Sequence, residues 1–538
     1  MKKGLPRIAA ALMLALVACG GPGSADPDPV SPTPPAPPAP PAPPAPTPAD
    51  FYADFLIPAD EEDGVARAFP GAEGCGMFAT GGRGGSVYHV TTLSDSGSGS
   101  LRYGIENAQR PCVIVFDVAG TIALTKDLKV SKGDVTIAGQ TAPGDGICLR
   151  DHTFTIQAGN VIVRFLRSRM GDVKQSENDS MNSYYNGTGA SGWSGIMVDH
   201  CSLSWSTDEC GSFYGSANST LQWCILSESL TNSLHGKGAH GYGGIWGGQN
   251  VSFHHNLIAG HTNRTPRLCG SRYSNESSKE NVELVNNVIF NWTGEGAYGG
   301  EGGNFNLLSN YYKPGPATAA KGAHCRLFVP YVDDGSNHQA EGTCGKFFLS
   351  GNFIDGSVAG LSQSQKTEIG NANADNFAAS AFYPKSGTMP QSNFKASSRF
   401  KISYNGSAVT EQAADKAFAS VLSGAGASLA RDIVDERIVG EVRSGECAYT
   451  GSKSALKGII DSQEDVGGWP AYSATAEQIS KVKDTDGDGM PDWFEDKYYL
   501  KKNDPADGRT KDIDKNGRYT NLEMYLHYLV REIVKSGY

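Results

Sequence analysis

Two twelve-residue segments near the carboxyl end are spaced to bind a hard cation. Residues 484–495 read DTDGDGMPDWFE and residues 512–523 read DIDKNGRYTNLE. Each offers side-chain oxygens at positions one, three and five, a glycine at six and a glutamate at twelve. That order wraps a short loop around calcium: the glycine supplies the sharp turn and the last carboxylate closes the shell with both oxygens. The first loop nominates Asp484, Asp486, Asp488, Asp492 and Glu495; the second nominates Asp512, Asp514, Asn516 and Glu523. The adjacent His254 and His255 invite a zinc reading. Neighbours on a strand face opposite sides, however, so these two are expected to stack or pack instead.

The chain before these loops must supply the larger framework. From about residue 112 to 355, short apolar runs such as CVIVF, NVIVRFLR, STLQWCILSES and NVELVNNVIFNW alternate with loops rich in Asn, Gly and Ser. His200 to Trp223 is 23 residues, as is Asn287 to Asn310, whereas Asn256 to Asn287 is 31. A base period with insertions implies stacked coils, each strand pairing with its equivalent about 4.8 Å above. Asn256, Asn287, Asn310 and Asn352 recur at one place in the repeat, which suits an inward ladder of amides. Cys201 and Cys224, one period apart, would be stacked neighbours. Antiparallel hairpins would need Asn-Gly or Asp-Gly turns between the runs, and these are mostly missing. The pattern predicts an all-β fold, a right-handed parallel β-helix over residues 51–380. A wrapping extension, part helix and part irregular, follows over 381–475, and a small helical calcium-loop module over 476–538.

The start of the chain reads as an export signal. Lys2, Lys3 and Arg7 precede the apolar run 8–17, which is too short for a permanent membrane span. Leu16-Val17-Ala18-Cys19 resembles a lipobox, so residues 1–18 are expected to be removed and Cys19 to carry a lipid anchor in the outer membrane. Residues 19–50, nearly all Pro, Ala and Thr in their centre, form an extended polyproline stalk. Ten cysteines remain beyond Cys19, permitting up to five disulfides in an exported protein, with Cys325 and Cys344 the best-placed local pair. A net charge of −11 argues against nucleic acid but not against a polyanionic sugar, because local cations outweigh remote charge.

The segments AFPGAEGCGMFATGGRGG, VIVFDVAGTI and VTIAGQTAPGDGICL, followed in order by VDHCSLSW, HGKG and NRTPR, resemble the pectate lyase family of polysaccharide lyases, particularly its bacterial secreted branch. The likeness covers roughly residues 67–355. It implies a site on the outer face of one parallel sheet, where calcium and basic side chains bind polygalacturonate. NRTPRLC resembles the family's R-x-P-R-x-R segment, which places Arg264 at the catalytic base and Arg267 at the second arginine. Cys269 stands at the third, with Arg272 close enough to substitute. HGKG gives Lys237 the role of binding a substrate carboxylate. Asp179 and Asp208 fall on calcium positions, with Glu209 beside Asp208, while Ser212 stands where a further Asp would be expected. Asp199 is then structural or supporting. The paired carboxyl-terminal loops resemble those of EF-hands and of dockerins. A dockerin would imply a cohesin partner; a folded cap on a monomeric enzyme is the reading preferred here.

The implied chemistry suits these residue types. Elimination across C4 and C5 of a uronate removes a weakly acidic proton α to a carboxylate, so a hard cation must stabilise the enediolate and a base must reach C5. Guanidinium is normally a permanent cation, and the positive surroundings of calcium, Lys237 and Arg267 would lower the pKa of Arg264. A hydrolase on the same fold would instead need two carboxylates flanking the bond. A non-catalytic sugar-binding lipoprotein would not need Arg264 at all.

Overall fold

The computed structural model describes residues 45–58, 64–189, 191–385 and 389–537. The expected leader, Cys19 and most of the stalk lie outside them. Among the described residues, parallel strands form three sheets of ten, eight and nine strands. Successive strands of each sheet come from successive turns of the chain, and every pair inside these sheets is parallel, so the architecture is a parallel β-helix. Runs such as Val161–Arg164 and Ile196–Asp199 are buried at every position, as strands covered on both faces must be. Their inward residues, among them Val163, Val198, Leu221, Phe253, Leu284, Leu307 and Phe347, make one continuous core.

The corner between the ten-stranded and nine-stranded sheets has a strict local rule. One residue per coil takes a left-handed backbone: Phe165, His200, Trp223, His255, Asn286 and Ser309 all have φ between 49° and 56°. The next residue points inward. At Asn256, Asn287, Asn310 and Asn352, each Nδ2 donates to the next Oδ1 at 2.8–3.0 Å, forming the predicted ladder. The last acceptor is Asn376, which lies beyond the strands and after the helix Gln363–Ala374. The left-handed residues stack on the outside: the rings of Phe165 and His200, His200 and Trp223, and Trp223 and His255 have centroids 4.8, 5.9 and 4.4 Å apart.

Two expectations need correction. His254 and His255 do pack, both buried, but they do not face apart: their Nδ1 atoms meet at 3.0 Å. His255 is the left-handed corner residue rather than the next residue of the strand, so strand alternation does not apply to it. Burial pushes the imidazole pKa of His254 down to about 3. The ten described cysteines are free thiols. Cys325 is buried near Ser380, whereas Cys344 lies on a segment bridged to Val332, so the two are not bonded. Cys201 and Cys224 do stack, with the Cys201 amide donating to Cys224 Sγ at 3.4 Å. The thiols serve as small apolar side chains.

After the strands, the extension forms two helices, Ala414–Gly424 and Ile433–Ser444. Gly426 separates them at φ 81°, where a Cβ would lie 2.7 Å from Ile225 Cδ1. Both helices cover Ile225, Leu257, Val288 and Phe290 on the outer side of the nine-stranded sheet. Asp432 and Asp435 at the second helix's start are paired to the fully buried Arg169 at 2.8 and 2.9 Å. The carboxyl-terminal helices cover Val113, Val115 and Ala138 on the outer side of the ten-stranded sheet, with Phe494, Tyr498 and Tyr525 at their centre. Tyr52 and Phe55 of the 3-10 helix Pro48–Phe55 enter the same cluster.

Asn310 bonds the amides above and below it and the Leu284 carbonyl. Replacing Asn310 by Ala orphans these buried groups and is expected to lower unfolding free energy by about 2 to 3 kcal/mol, read from the denaturant midpoint.

Candidate active site

Along the eight-stranded sheet, chemistry-bearing residues sit just before the strands of consecutive coils. Asp179 precedes Met181–Tyr184, and Asp208 and Glu209 precede Gly211–Tyr214. Tyr242 precedes Ile245–Trp246, and Arg264 precedes Arg267–Leu268. Glu209, Tyr242 and Asn263 are bridged in register, and Arg267 pairs with Tyr298 on the following coil. Loops of unequal length separate these positions in sequence, but the coil register brings them level.

Oxygens of Asp179, Asp208 and Glu209 lie within 4.8 Å of one another. Burial, then the charge of Asp208, pushes Asp179 up to about 8. Two acids this close, one of them buried, cannot both carry their charge cheaply without a cation. Asp179 accepts from Glu209 N at 3.2 Å and from Asn182 Nδ2 at 3.1 Å. Asn182 Oδ1 is buried with no protein donor, and its strand position is level with Ser212, where a further acid was expected. Carboxylate and amide oxygens together form the donor set that calcium prefers. Asn182 was missed in the sequence, although it stands only three residues after Asp179.

Arg264 adopts a left-handed backbone at φ 56°, a strained state for a long side chain, held by Asn263 Oδ1 on its own amide and by Gly244 N–H on its carbonyl. A Cβ at Gly243 would collide with that carbonyl, so the HGYGG run clears the space that Arg264 needs. Its guanidinium forms an ion pair with Glu209, approaches Tyr298 Oη at 3.3 Å and lies 4.3 Å over the Tyr242 ring. Lys237 is exposed on the neighbouring loop. In that loop the rings of His235 and His240 stack with centroids 3.4 Å apart, each with a nitrogen 3.6 Å from Asp208.

Arg267 and Arg272 line a separate cavity of about 460 Å³, with Glu301, Asp333 and Tyr331 on its wall. Arg267 is tied to Glu301 at 2.5 Å. Lys385, from the segment after the strands, also lines this cavity; no motif marked it.

The carboxyl-terminal loops divide the expected ligands. Oxygens of Asp484, Asp486 and Asp488 converge, and Asp488 also meets Glu495 and Asp507. Asp492 turns away to Lys483 and Thr485. In the second loop the acids do not converge. Asp512 accepts from Asn521, Asp514 from the amides of Arg518 and Tyr519, and Glu523 pairs with Arg83 at 2.6 Å. Asn516, on the rim, is exposed.

The Aspergillus flavus protein named Probable pectate lyase C is 34% identical over 473 residues, spanning 86% of this chain and 94% of that one. Its namesake in Emericella nidulans is 32% identical over 483 residues, spanning 89% and 96%. A solved pectate lyase from Bacillus sp. N165, in complex with trigalacturonate, overlays with a TM-score of 0.39 at 15% identity, over 66% of this chain and 98% of that one. No protein-family model matches the chain. At that identity and reach, the chain belongs to the pectate lyase family, a family of polysaccharide lyases.

The raised pKa of Asp179 fixes the sign of a pH effect. In chelator-treated protein the folded state keeps a proton that the unfolded chain releases above about pH 4, so this group costs stability as pH rises from there towards 8. Thermal melts of the Asp179→Asn variant are expected to decline less steeply over that range than those of the wild type.

Proposed function

We propose that this chain is an exported, calcium-dependent pectate lyase that cleaves polygalacturonate by β-elimination to unsaturated oligogalacturonides. The observation that carries the reading is the arrival of Asp179, Asp208, Glu209 and Arg264 on one sheet face, with Tyr242 on the coil between Glu209 and Arg264. Asp179, Asp208 and Glu209, with Asn182 as a neutral donor, would hold calcium. Calcium held there would supply positive charge to the substrate carboxylate, which would stabilise the enediolate formed as the α proton leaves. Arg264 is the base for the C5 proton. Glu209 faces both the acidic group and Arg264, so its charge is divided between them. Tyr298 and Tyr242 fix the guanidinium plane. Lys237, Arg267 and Arg272 supply cations for neighbouring substrate carboxylates.

A hydrolase is less well supported. The acids here cluster within 4.8 Å of one another, whereas glycoside hydrolysis places one acid on each side of the scissile bond, more than about 5 Å apart. Beside them stand Arg264 and Lys237, with Arg267, Arg272 and Lys385 around the neighbouring cavity, cations that suit the carboxylates of a uronate chain. The lipobox-like segment ending at Cys19 supports export with a lipid anchor in the outer membrane, and the packing of Phe494, Tyr498 and Tyr525 on the ten-stranded sheet supports a structural calcium module rather than a cohesin-binding one.

The anchor reading is checked by membrane partition: Cys19→Ser is expected to yield a soluble or unprocessed form without acyl label. The lyase reading is checked with polygalacturonate, where ultraviolet absorbance of the unsaturated uronate should rise and a chelator should abolish the rise. New reducing ends without that absorbance would mean hydrolysis. Arg264→Lys keeps the charge but loses the planar fork. Both it and Arg264→Ala are expected to lower turnover about a thousand-fold, with little change in oligogalacturonate binding. Near-normal turnover in Arg264→Lys would make the residue an anchor and turn attention to Lys237.

A further inference from the structure

The carboxyl-terminal module contains a second acidic centre, distinct from the group of Asp179, Asp208 and Glu209. Two features set it apart from an ordinary acidic surface. First, its acids are buried and aimed at one another. Glu495 has no exposed surface, and neither of its carboxylate oxygens has a protein donor. The same holds for both oxygens of Asp486, for Asp488 Oδ2 and for Asp507 Oδ1. Second, the loop is already shaped for an ion. Asp484 accepts Gly487 N and Gly489 N, each at 2.7 Å, which curls residues 484–489 into a ring of oxygens.

Asp507 reaches this centre from outside the loop. Lys501 N holds its Oδ2 at 2.6 Å and leaves Oδ1 facing Asp488 and Glu495. The approach is possible because the next residue is Gly508: a Cβ there would collide with Asp488 Oδ2. Asp492, the ninth residue of the loop and the expected ligand, is instead committed to Thr485 N at 2.8 Å and to Lys483.

We propose that the module binds one calcium-class divalent cation between Asp484, Asp486, Asp488, Glu495 and Asp507, and that the second loop is an ion-pair latch. Glu495 and Asp488 are buried with their oxygens converging on Asp507 and with no protein donor to Glu495, so their mutual repulsion is relieved only when a cation joins them. In the second loop, the glutamate that would close a cation shell is spent on Arg83 and on Thr520 N, at 2.6 and 2.9 Å. Arg83 lies just ahead of the first strand, Ser86–Val90. That strand also carries His89, whose Nε2 is 3.4 Å from Asp484 Oδ2 and whose Nδ1 is 3.0 Å from Asp117. Both loops therefore grip the first coil, one through the ion's own ligand and the other through a salt bridge.

The test uses terbium as probe on full-length, chelator-treated protein. Trp493 lies inside the first loop and sensitises an ion bound there; loss of emission in Trp493→Phe assigns the signal. Wild type is expected to saturate this emission with a single ion. Asp507→Asn and Glu495→Gln should each raise the half-saturating concentration about ten-fold or more, while Asp492→Asn and Asp514→Asn should titrate like wild type. Calcium should displace the terbium. Turnover of Asp507→Asn on polygalacturonate with excess calcium should stay within a few-fold of wild type, which separates this site from the catalytic one. Loss of binding in Asp492→Asn, or unchanged binding in Asp507→Asn, would overturn the proposed ligand set. The wild-type count decides independently of how any variant folds: two Trp493-sensitised ions, one per loop, would overturn the latch.

Discussion

Parallel strands bond only to the coils above and below, so each coil depends on its neighbours' register and any slip would rotate every side chain to a new face. The corner between two sheets fixes that register. A left-handed residue turns the chain, and the residue after it points inward: Cys201 and Cys224 on the earlier coils, each bonded through its backbone N–H to the next, then the asparagines from Asn256 onward, whose amides lock coil to coil where an unmet donor or acceptor would be costly. With the corner fixed, the strand starts of the eight-stranded sheet fall level with one another. Asp179, Glu209, Tyr242 and Arg264 then share one face although the loops between them differ in length.

Much of the framework was legible because it repeats. The apolar runs and the recurring asparagines encode the β-helix and its ladder, since a side chain used identically on each coil leaves a periodic trace. Asn376, the last rung, left none because it belongs to no strand. The cysteines misled for a related reason: export and an even count favour disulfides, yet small buried side chains are equally useful between coils, and only geometry tells the two uses apart. His255 shows the limit of period-two reasoning, which fails wherever a corner residue is taken for a strand residue.

The site residues fall into two groups. Of those on a motif, Asp179, Asp208, Glu209 and Arg264 are brought together by the structure, whereas Lys237 stands on an exposed loop and Arg267 and Arg272 line a separate cavity. Those defined by approach from elsewhere were invisible. Asn182 matters because Ser212 lies level with it. Lys385 reaches the arginine-lined cavity from a segment outside the repeat, and Asp507 meets the first calcium loop only because Gly508 permits it. The loop pattern marked residues 484–495, where the structure brings the oxygens of Asp484, Asp486 and Asp488 together. It could not show that Asp492 and Glu523 already had partners in Lys483 and Arg83.

The 3-10 helix Pro48–Phe55 gives the molecule a mechanical property. Its Phe55 ring packs against Phe494 and Tyr498, and His527 holds the Phe55 carbonyl at 2.8 Å, so the chain's entry point is built into its last domain rather than its first strand. Tension applied to this helix from upstream would fall first on its contacts with Phe494, Tyr498 and His527. A solenoid pulled from its terminal strand would peel one coil at a time. Here such a load would first have to shear the aromatic cluster on the outer side of the ten-stranded sheet.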